Sequence, residues 1–276
     1  MLENSLTMFT AKNLVYKVSA IAALAVVSIA AGYAAPQQKA ATIDMAMAAP
    51  AEPYSDATYP CPKYSGYGAE RGWIARTKTF ADTAKSLKRC RLVFVGDSIT
   101  DNWRKPGKDV WEKKFTKFNS LNLGYSGDRT ENVLYRLIYG KNLPANINPR
   151  AFILLIGTNN FGHRMDDPKD VAAGEIKIVE FLRSARPDAH VIVMATFPRG
   201  GEKFAGKIEA QNEAVSAWIK ARNDKKISFL DINPKFTGTD GKVNLELLPD
   251  GLHPNAQGHE IWADEILKEL SSVGIK

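Results

Sequence analysis

The stretch LVFVGDS, at residues 92–98, ends an apolar run with a glycine, an acid and a serine. Arg91 and Gly96 bound the run, which is typical of a short strand covered on both faces at the centre of a parallel sheet. Ser98 then lies just beyond the carboxyl end of that strand, the edge at which open α/β sheets bind ligands. A serine at this place is either a nucleophile or the N-cap of a helix, and this stretch alone leaves both interpretations open.

Four further apolar runs predict strands, at residues 121–123, 152–156, 191–195 and 227–230. Patterns with helical spacing lie between or after them, at residues 130–138, 175–185, 206–222 and 257–270. Because strands and helices alternate along the chain, the sequence predicts an α/β domain in which helices cover both faces of a parallel sheet.

The first 60 residues differ in character from the rest of the chain. Lys12 and Lys17 precede an apolar stretch at residues 18–31, and small residues follow it, which is the layout of a secretory signal peptide. An uncleaved membrane anchor is the alternative, although the stretch is short against the roughly 20 apolar residues of a spanning helix. We expect a signal peptide at 1–35, an Ala/Pro-rich tether at 36–60 and a folded domain at 61–276. The protein is then exported, to the periplasm or the medium, without stable membrane insertion.

Composition and charge argue against several classes of protein. The 276 residues are 45% hydrophobic and 24% charged, as in ordinary globular proteins. The net charge of +7 comes from scattered basic residues, so nucleic-acid binding has little support, while a modest positive field favours an anionic substrate. The two cysteines, Cys61 and Cys90, form no CxxC motif, which argues against a zinc or thioredoxin-like site. They form either a disulfide or two separate thiols.

A serine hydroxyl needs a base to take its proton, and that base is usually an oriented histidine. Of the four histidines, His253 is distinguished by its place in LLPDGLHPNAQGH, at residues 247–259. Asp250 precedes it by three residues, and Pro254 prevents a regular helix through the site. On a tight turn this carboxylate can bond to Nδ1 and hold the imidazole tautomer. The alternative is an Asp-Gly turn beside an unrelated surface histidine.

Acyl transfer also needs hydrogen-bond donors for the oxyanion. Gly124 ends the predicted strand in LNLG and offers a backbone N–H that a substrate can approach closely. Asn159 follows another strand in LLIGTNN and offers its side-chain amide. Together with the Ser98 amide they would make three donors, although a glycine and an asparagine at strand ends are also ordinary turn residues.

Four short blocks, in this order, resemble those of the SGNH (GDSL) hydrolase superfamily over residues 91–270: Gly96-Asp97-Ser98, Gly124, Gly157-x-Asn159 and Asp250-x-x-His253. The stretches NLGYSGDRTENVLYRL, IGTNN and FPRG are also similar to the branch that contains platelet-activating-factor acetylhydrolase subunits and exported bacterial acetylesterases. The resemblance implies a flavodoxin-like three-layer α/β/α sandwich, with no metal and no cofactor. It also implies that Ser98 is the nucleophile, His253 the base and Asp250 the acid that orients the base. The implied oxyanion donors are Ser98, Gly124 and Asn159.

The loops around this edge of the sheet supply four candidate substrate contacts: Asp97, Arg129, Asn160 and Arg199. An arginine there either pairs with a substrate carboxylate or is simply a solvated surface residue. We also expect Asp97 to stabilise its turn, and Ser126, the rival nucleophile, to shape the loop after Gly124. Trp103 and Phe161 are either a wall for the acyl or sugar group or packing beneath the loops.

The resemblance implies an exported serine esterase that hydrolyses short-chain esters, acetyl esters above all, on a small molecule or a glycan. One alternative is a lysophospholipase or thioesterase that acts on lipid acyl esters. Another is a non-catalytic glycan-binding protein with the same fold. The alcohol that carries the ester and the oligomeric state do not follow from the sequence.

Overall fold

The computed structural model describes residues 56–64 and 71–276. The expected signal peptide at 1–35 lies outside the described residues, as does the expected tether up to residue 55. The end of that tether is part of the fold, since Ala57 is buried and its carbonyl accepts a hydrogen bond of 2.7 Å from Thr130 Oγ1. Two further hydrogen bonds join Cys61 to the helix that begins at Thr130. The Cys61 amide donates to the Glu131 carbonyl, and the Cys61 carbonyl accepts from Asn132 Nδ2.

Five parallel strands form the central sheet in the order β2-β1-β3-β4-β5, which is the flavodoxin-like order. The strands are β1 Leu92–Gly96, β2 Leu121–Gly124, β3 Ala151–Leu155, β4 His190–Met194 and β5 Ile227–Leu230. The predicted α/β class and flavodoxin-like three-layer arrangement are confirmed. Each strand agrees with its prediction to within one residue at either end.

Eight α-helices surround the sheet in the described part of the chain: α1 Arg71–Ser86, α2 Ser98–Asp101, α3 Lys108–Lys114, α4 Thr130–Ile138, α5 Thr158–Arg164, α6 Pro168–Ala185, α7 Glu202–Arg222 and α8 Ala256–Ser272. None of the helices in this part is long and apolar enough to span a membrane. Helices α1, α3 and α5 were not predicted, and α6 and α7 begin seven and four residues before their expected starts.

Two apolar cores form on opposite faces of the sheet, because successive side chains of a strand point to opposite sides. In β1, Val93 and Val95 join the core beneath α1, α4, α6 and α7. Leu92 and Phe94 join the other core, beneath α3 and α8. Trp103 is 1% exposed within this second core and Phe161 is 0% exposed, so both pack beneath the loops and neither forms a wall of the site.

Helix starts follow the carboxyl ends of the central strands. Strand β1 is followed at once by α2, and β3 by α5. Strand β2 leads through a short loop into α4. The parallel sheet therefore brings three strand-to-helix junctions to one edge, and Ser98 and Asn159 lie in the first turns of the helices at two of them.

Candidate active site

Ser98 is the first residue of helix α2 and follows the buried strand β1. Asp97 caps the helix, since its Oδ1 accepts a hydrogen bond of 2.9 Å from the Ile99 amide. The Ser98 side chain is partly exposed, and its Oγ lies 2.8 Å from His253 Nε2. The serine is thus the helix start that the sequence allowed and also a hydroxyl paired with an imidazole.

His253 lies on the tight turn before α8 and is held by Asp250. The His253 Nδ1 atom lies 2.6 Å from Asp250 Oδ2, while Asp250 Oδ1 accepts bonds from the amides of Leu252 (2.9 Å) and His253 (2.7 Å). Partial burial opposes ionisation of this carboxyl, but the bonds from His253 and Leu252 hold its pKa below the ordinary value. The network therefore assigns the proton of the neutral ring to Nδ1 and leaves Nε2 to accept from the serine.

Asn159 lies at the start of α5 with only 6% of its surface exposed. One N–H of its side chain donates to the Asp128 carbonyl at 2.9 Å. The other N–H has no acceptor among the described residues, and the same holds for the Ser98 backbone amide. Both groups are available to bind an oxyanion.

The Gly124 amide is not available to an oxyanion, which corrects the prediction that Gly124 is one of the three donors. Its amide already donates to Asn122 Oδ1 at 2.8 Å. A methyl group on its Cα would also lie 2.3 Å from the Asp101 amide nitrogen, so a close backbone contact accounts for the glycine.

Gly127 is the glycine of this loop with an available amide. Its φ is 77°, and its amide has no hydrogen-bond acceptor among the described residues. It immediately precedes Asp128, the residue whose carbonyl holds the Asn159 side chain. Sequence reasoning missed Gly127 because both glycines of LGYSGD fit a turn, and only the Asn122 contact separates them.

Two buried carboxylates hold this loop in place. Asp128 accepts from Trp73 Nε1 and Arg136 Nε, both at 2.6 Å, and the Asp128 and Arg136 side chains are 0% exposed. Asp101 accepts a bond of 3.1 Å from the Ser126 hydroxyl. Ser126 therefore anchors the loop, as its predicted role requires.

Asp97 and Asn160 do not contact substrate, contrary to the prediction. Asp97 is 1% exposed, and burial raises its pKa to about 7, with the charge of Asp128 adding to the effect. Asn160 is 0% exposed, and its side chain bonds to Thr130 and Asp166 beneath the surface. Both residues support the loops from within.

Arg129 and Arg199, the two predicted arginine contacts, differ in their hydrogen-bond partners. Arg129 is paired with the buried Glu131, with its Nε 2.5 Å from Oε1, and its role as a substrate contact stays a prediction. Arg199 donates from Nη1 to the Thr158 carbonyl at 3.1 Å and lies over the Phe204 ring. Its charge acts on Asp97 and Asp250, which adjoin Ser98 and hold His253 respectively.

No three His, Cys, Asp or Glu side chains within residues 56–64 and 71–276 are arranged to hold a metal ion. This edge of the sheet presents a hydroxyl, an imidazole, a carboxylate and several N–H donors. This is the arrangement that serine hydrolases use on unrelated folds.

The model of the GDSL-like lipase/acylhydrolase family matches residues 94–261, and the chain belongs to this family of ester hydrolases. It is 29% identical over 205 residues to platelet-activating factor acetylhydrolase IB subunit alpha1 of Bos taurus, covering 74% of this chain and 84% of the bovine protein.

Two solved structures have the same fold. A GDSL-like lipase from Bacteroides thetaiotaomicron superposes with a TM-score of 0.60 at 21% identity, covering 72% of this chain and 98% of that one. The acetyl xylan esterase AlAXEase gives a TM-score of 0.55 at 17% identity, covering 65% of this chain and 99% of that one.

Proposed function

We propose that this chain is a serine esterase that hydrolyses short-chain esters, with acetyl as the preferred acyl group. The observation that carries the proposal is the continuous series of contacts from Ser98 Oγ to His253 Nε2 (2.8 Å) and from His253 Nδ1 to Asp250 Oδ2 (2.6 Å). This series supplies both an activated nucleophile and a proton acceptor at one edge of the sheet.

In the proposed cycle Ser98 Oγ attacks the ester carbonyl while His253 Nε2 takes its proton. Asp250 stabilises the imidazolium that forms. The same proton then passes to the departing alcohol, which leaves an acyl group on Ser98. A water molecule, deprotonated by His253, attacks this acyl group and releases the acid and the free serine.

The oxyanion of each tetrahedral intermediate is bound by the amides of Ser98 and Gly127 and by the Asn159 side chain. This assignment is supported by the N–H of each group that has no acceptor among the described residues. Gly127 takes the place of Gly124 because the Gly124 amide donates to Asn122 Oδ1. A single donor of this kind typically contributes about 10²–10³ in rate.

The choice of acyl group and alcohol is supported by similarity. The bovine relative is named an acetylhydrolase, and one structural neighbour is named an acetyl xylan esterase. A groove of about 950 Å³ is lined by Arg199 and Gly200, but Ser98, His253 and Asn159 are not among its lining residues, so it does not bear on the alcohol. We place an acetylated glycan first.

A lipid ester is the second candidate. It is favoured by the name of the bovine relative, which specifies platelet-activating factor. The two candidates differ in the acyl chain or the alcohol that the enzyme prefers, so substrate series separate them.

Export is proposed from the pattern of residues 1–35 alone. The measurement is N-terminal sequencing of the protein recovered from the periplasm or medium of expressing cells. A mature N-terminus near residue 35 or 36 supports export, and an intact N-terminus in the cytosol contradicts it.

The test of the activity is hydrolysis of p-nitrophenyl acetate, butyrate and octanoate by the full chain and by Ser98→Ala. We expect the rate to fall with chain length, and Ser98→Ala to lower kcat by at least about 10⁴-fold. Ser86→Ala, which changes an exposed serine at the end of α1, is the matched control. A fastest rate with octanoate favours a lipid substrate, while equal rates from Ser98→Ala and the unaltered chain contradict the mechanism.

A further inference from the structure

Five basic residues lie close together beside the candidate active site, and we call them the cationic rim: Lys63, Arg129, His163, Arg164 and Arg199. His163 is exposed, yet its pKa is lowered by partial loss of hydration and then by the charges of the other four. Because four cationic side chains act on His163, this part of the rim is a region of positive potential.

The rim reaches the loop that carries Gly127. A methyl group placed on the Gly127 Cα would lie 2.7 Å from Lys63 Nζ and 3.8 Å from His163 Cε1. Lys63 Nζ also donates to the Ser126 carbonyl at 3.1 Å. One edge of the rim therefore borders the residue that we assign to the oxyanion site.

The opposite edge of the rim reaches the histidine turn. The Arg199 guanidinium packs against Gly162, the neighbour of His163 in sequence. The next residue, Gly200, donates from its amide to the Gly251 carbonyl at 2.7 Å, which ties the Arg199 loop to the turn between Asp250 and His253.

Among the described residues, carboxylates pair with Arg129 and Arg164 of the rim. Glu131 lies 2.5 Å from Arg129 Nε and 2.9 Å from Arg164 Nη1, and Asp166 lies 2.5 Å from Arg164 Nη2. Arg199 has no carboxylate within ion-pair distance among the described residues. Its Nε and Nη2 have no acceptor there either, so they remain as donors at the surface.

Among the described residues, Asp97, Asp128 and Asp250 are further carboxylates that act on these cations. Asp97 is buried and caps α2, and Asp128 is bonded to Arg136 and Trp73. Asp250 is engaged by His253. Asp128 and Asp250 thus have side-chain partners of their own, whereas the charge of Asp97 acts on Arg199. The potential is positive at His163, because Lys63, Arg129, Arg164 and Arg199 all lower its pKa.

We infer that Lys63, His163 and Arg199 bind an anionic group on the alcohol half of the substrate. The group is a carboxylate, as on an acidic sugar, or a phosphate, as on a lipid headgroup. A guanidinium with two available N–H groups suits either anion, and a positive surface beside the site also raises the encounter rate of anionic esters. This inference rests on the proposed esterase function and specifies the substrate class of the same site.

The experiment compares two acetyl esters that differ in charge, 4-acetoxybenzoate and its methyl ester, with the full chain at low ionic strength. We expect kcat/KM to be at least about tenfold higher for the anionic ester, as for a hydrogen bond to a charged group. The preference falls when NaCl is raised to about 0.5 M, because salt screens exposed charges.

Arg199→Gln and Lys63→Gln are each expected to lower the ratio of the two kcat/KM values several-fold. Lys225→Gln is the matched control, since it removes an exposed lysine just before β5, at the opposite end of the strands, and leaves the ratio unchanged. Circular dichroism shows that each variant is folded. Two rim variants are used, so that misfolding of one leaves the other to decide.

Outcomes for the inference and for the proposed function are separate. Hydrolysis of both esters at similar kcat/KM, or a ratio that both rim variants leave unchanged, contradicts the anion site but not the proposed esterase activity. Failure to hydrolyse either ester, or full activity of Ser98→Ala, overturns the esterase itself. A third ester, 4-acetoxyphenyl phosphate, identifies the source of the anion: a higher kcat/KM than for the carboxylate indicates a phosphate-bearing alcohol, and a lower one indicates an acidic sugar.

Discussion

At the scale of single residues, Asp250 controls which nitrogen of His253 carries the proton. Its Oδ1 serves two backbone amides, and its Oδ2 alone faces Nδ1. In Asp250→Asn the side-chain oxygen can still accept from the amides, but the NH₂ group then faces Nδ1. The ring must place its proton on Nε2, where it can no longer accept from Ser98.

We therefore expect Asp250→Asn to lower kcat by about 10³–10⁴-fold with a small change in KM. Steady-state kinetics on p-nitrophenyl acetate measure both parameters. Asp240→Asn is the control, since Asp240 is an exposed turn residue that likewise accepts from a backbone amide two positions on. A loss below tenfold would show that the carboxylate, which is 57% exposed, does not fix the tautomer.

The two glycines after β2 have different physical roles and make a second residue-scale prediction. A methyl carbon on Gly124 would lie 2.3 Å from the Asp101 amide nitrogen, and this backbone cannot move without displacing α2. A methyl group on Gly127 meets the end of a flexible lysine, but the φ of 77° costs a side-chain-bearing residue about 1 kcal/mol or more.

We expect Gly124→Ala to lower the melting temperature strongly or to prevent folding. Gly127→Ala remains folded and loses about tenfold or more in kcat, because its amide shifts from the oxyanion. Thermal unfolding and esterase rates are measured on both variants. A fully active Gly127→Ala would remove Gly127 from the oxyanion site.

At the scale of secondary-structure elements, a buried carboxyl joins α6 to α7 behind the Asn159 turn. Glu175 is 1% exposed and accepts a bond of 2.7 Å from Gln211 Nε2, whose side chain packs against Gly157. Burial raises the pKa of Glu175 from 4.5 to about 8. In the unfolded chain the carboxyl ionises near its ordinary pKa, so its effect on stability depends on pH.

The sign follows from the raised pKa. Below pH 4.5 the carboxyl is protonated in both states, and from there to about pH 8 only the unfolded state ionises, so the free energy of unfolding falls as the pH rises. Glu175→Gln removes this loss. We expect its gain in melting temperature to be larger at pH 8 than at pH 5, at roughly 2–4 °C for each kcal/mol recovered. Glu180→Gln, at an exposed position of α6, is the control, and an equal gain at both pH values contradicts the raised pKa.

Elements with a strong local signal could be predicted from the sequence, and others could not. The five strands are short apolar runs between polar residues, and their bounds agree to within one residue. Helix α1 buries Trp73, Thr77, Phe80, Ala81 and Ala84 at helical spacing, but only two of these are large apolar residues, so the pattern was weak. The early start of α6 follows from Asp167 as N-cap and Pro168 in the first turn, a signal that was present and was overlooked.

The candidate site also contains residues that a local sequence motif indicates and residues that depend on tertiary contacts. Ser98 and the Asp250 and His253 pair depend on contacts within a few residues of a strand end or a turn, and those motifs indicated their positions. Which glycine amide is available depends on how the Asn122 side chain folds back. The burial of Asn160 depends on Thr130 and Asp166, which the sequence alone could not place beside it.

At the scale of the whole molecule, the segment at residues 56–64 closes over α4 and brings Lys63 to the cationic rim. Cys61 in this segment and Cys90 before β1 are both buried and both free, so the alternative of a disulfide is not realised. Burial raises the pKa of each thiol to about 11. Since the thiolate is the reactive form, both should react slowly while the fold is intact.

The two thiols are nevertheless held by different parts of the molecule. Cys90 adjoins the central sheet, where opening requires global unfolding, whereas Cys61 is joined to α4 by two hydrogen bonds. We expect a thiol reagent such as DTNB to label Cys61 faster than Cys90, with each rate assigned from Cys61→Ser and Cys90→Ser. Both thiols react fully in about 6 M guanidinium, and dithiothreitol leaves the melting temperature unchanged. Equal labelling rates would mean that residues 56–64 open only with the whole domain, and a melting temperature lowered by dithiothreitol would contradict two free thiols.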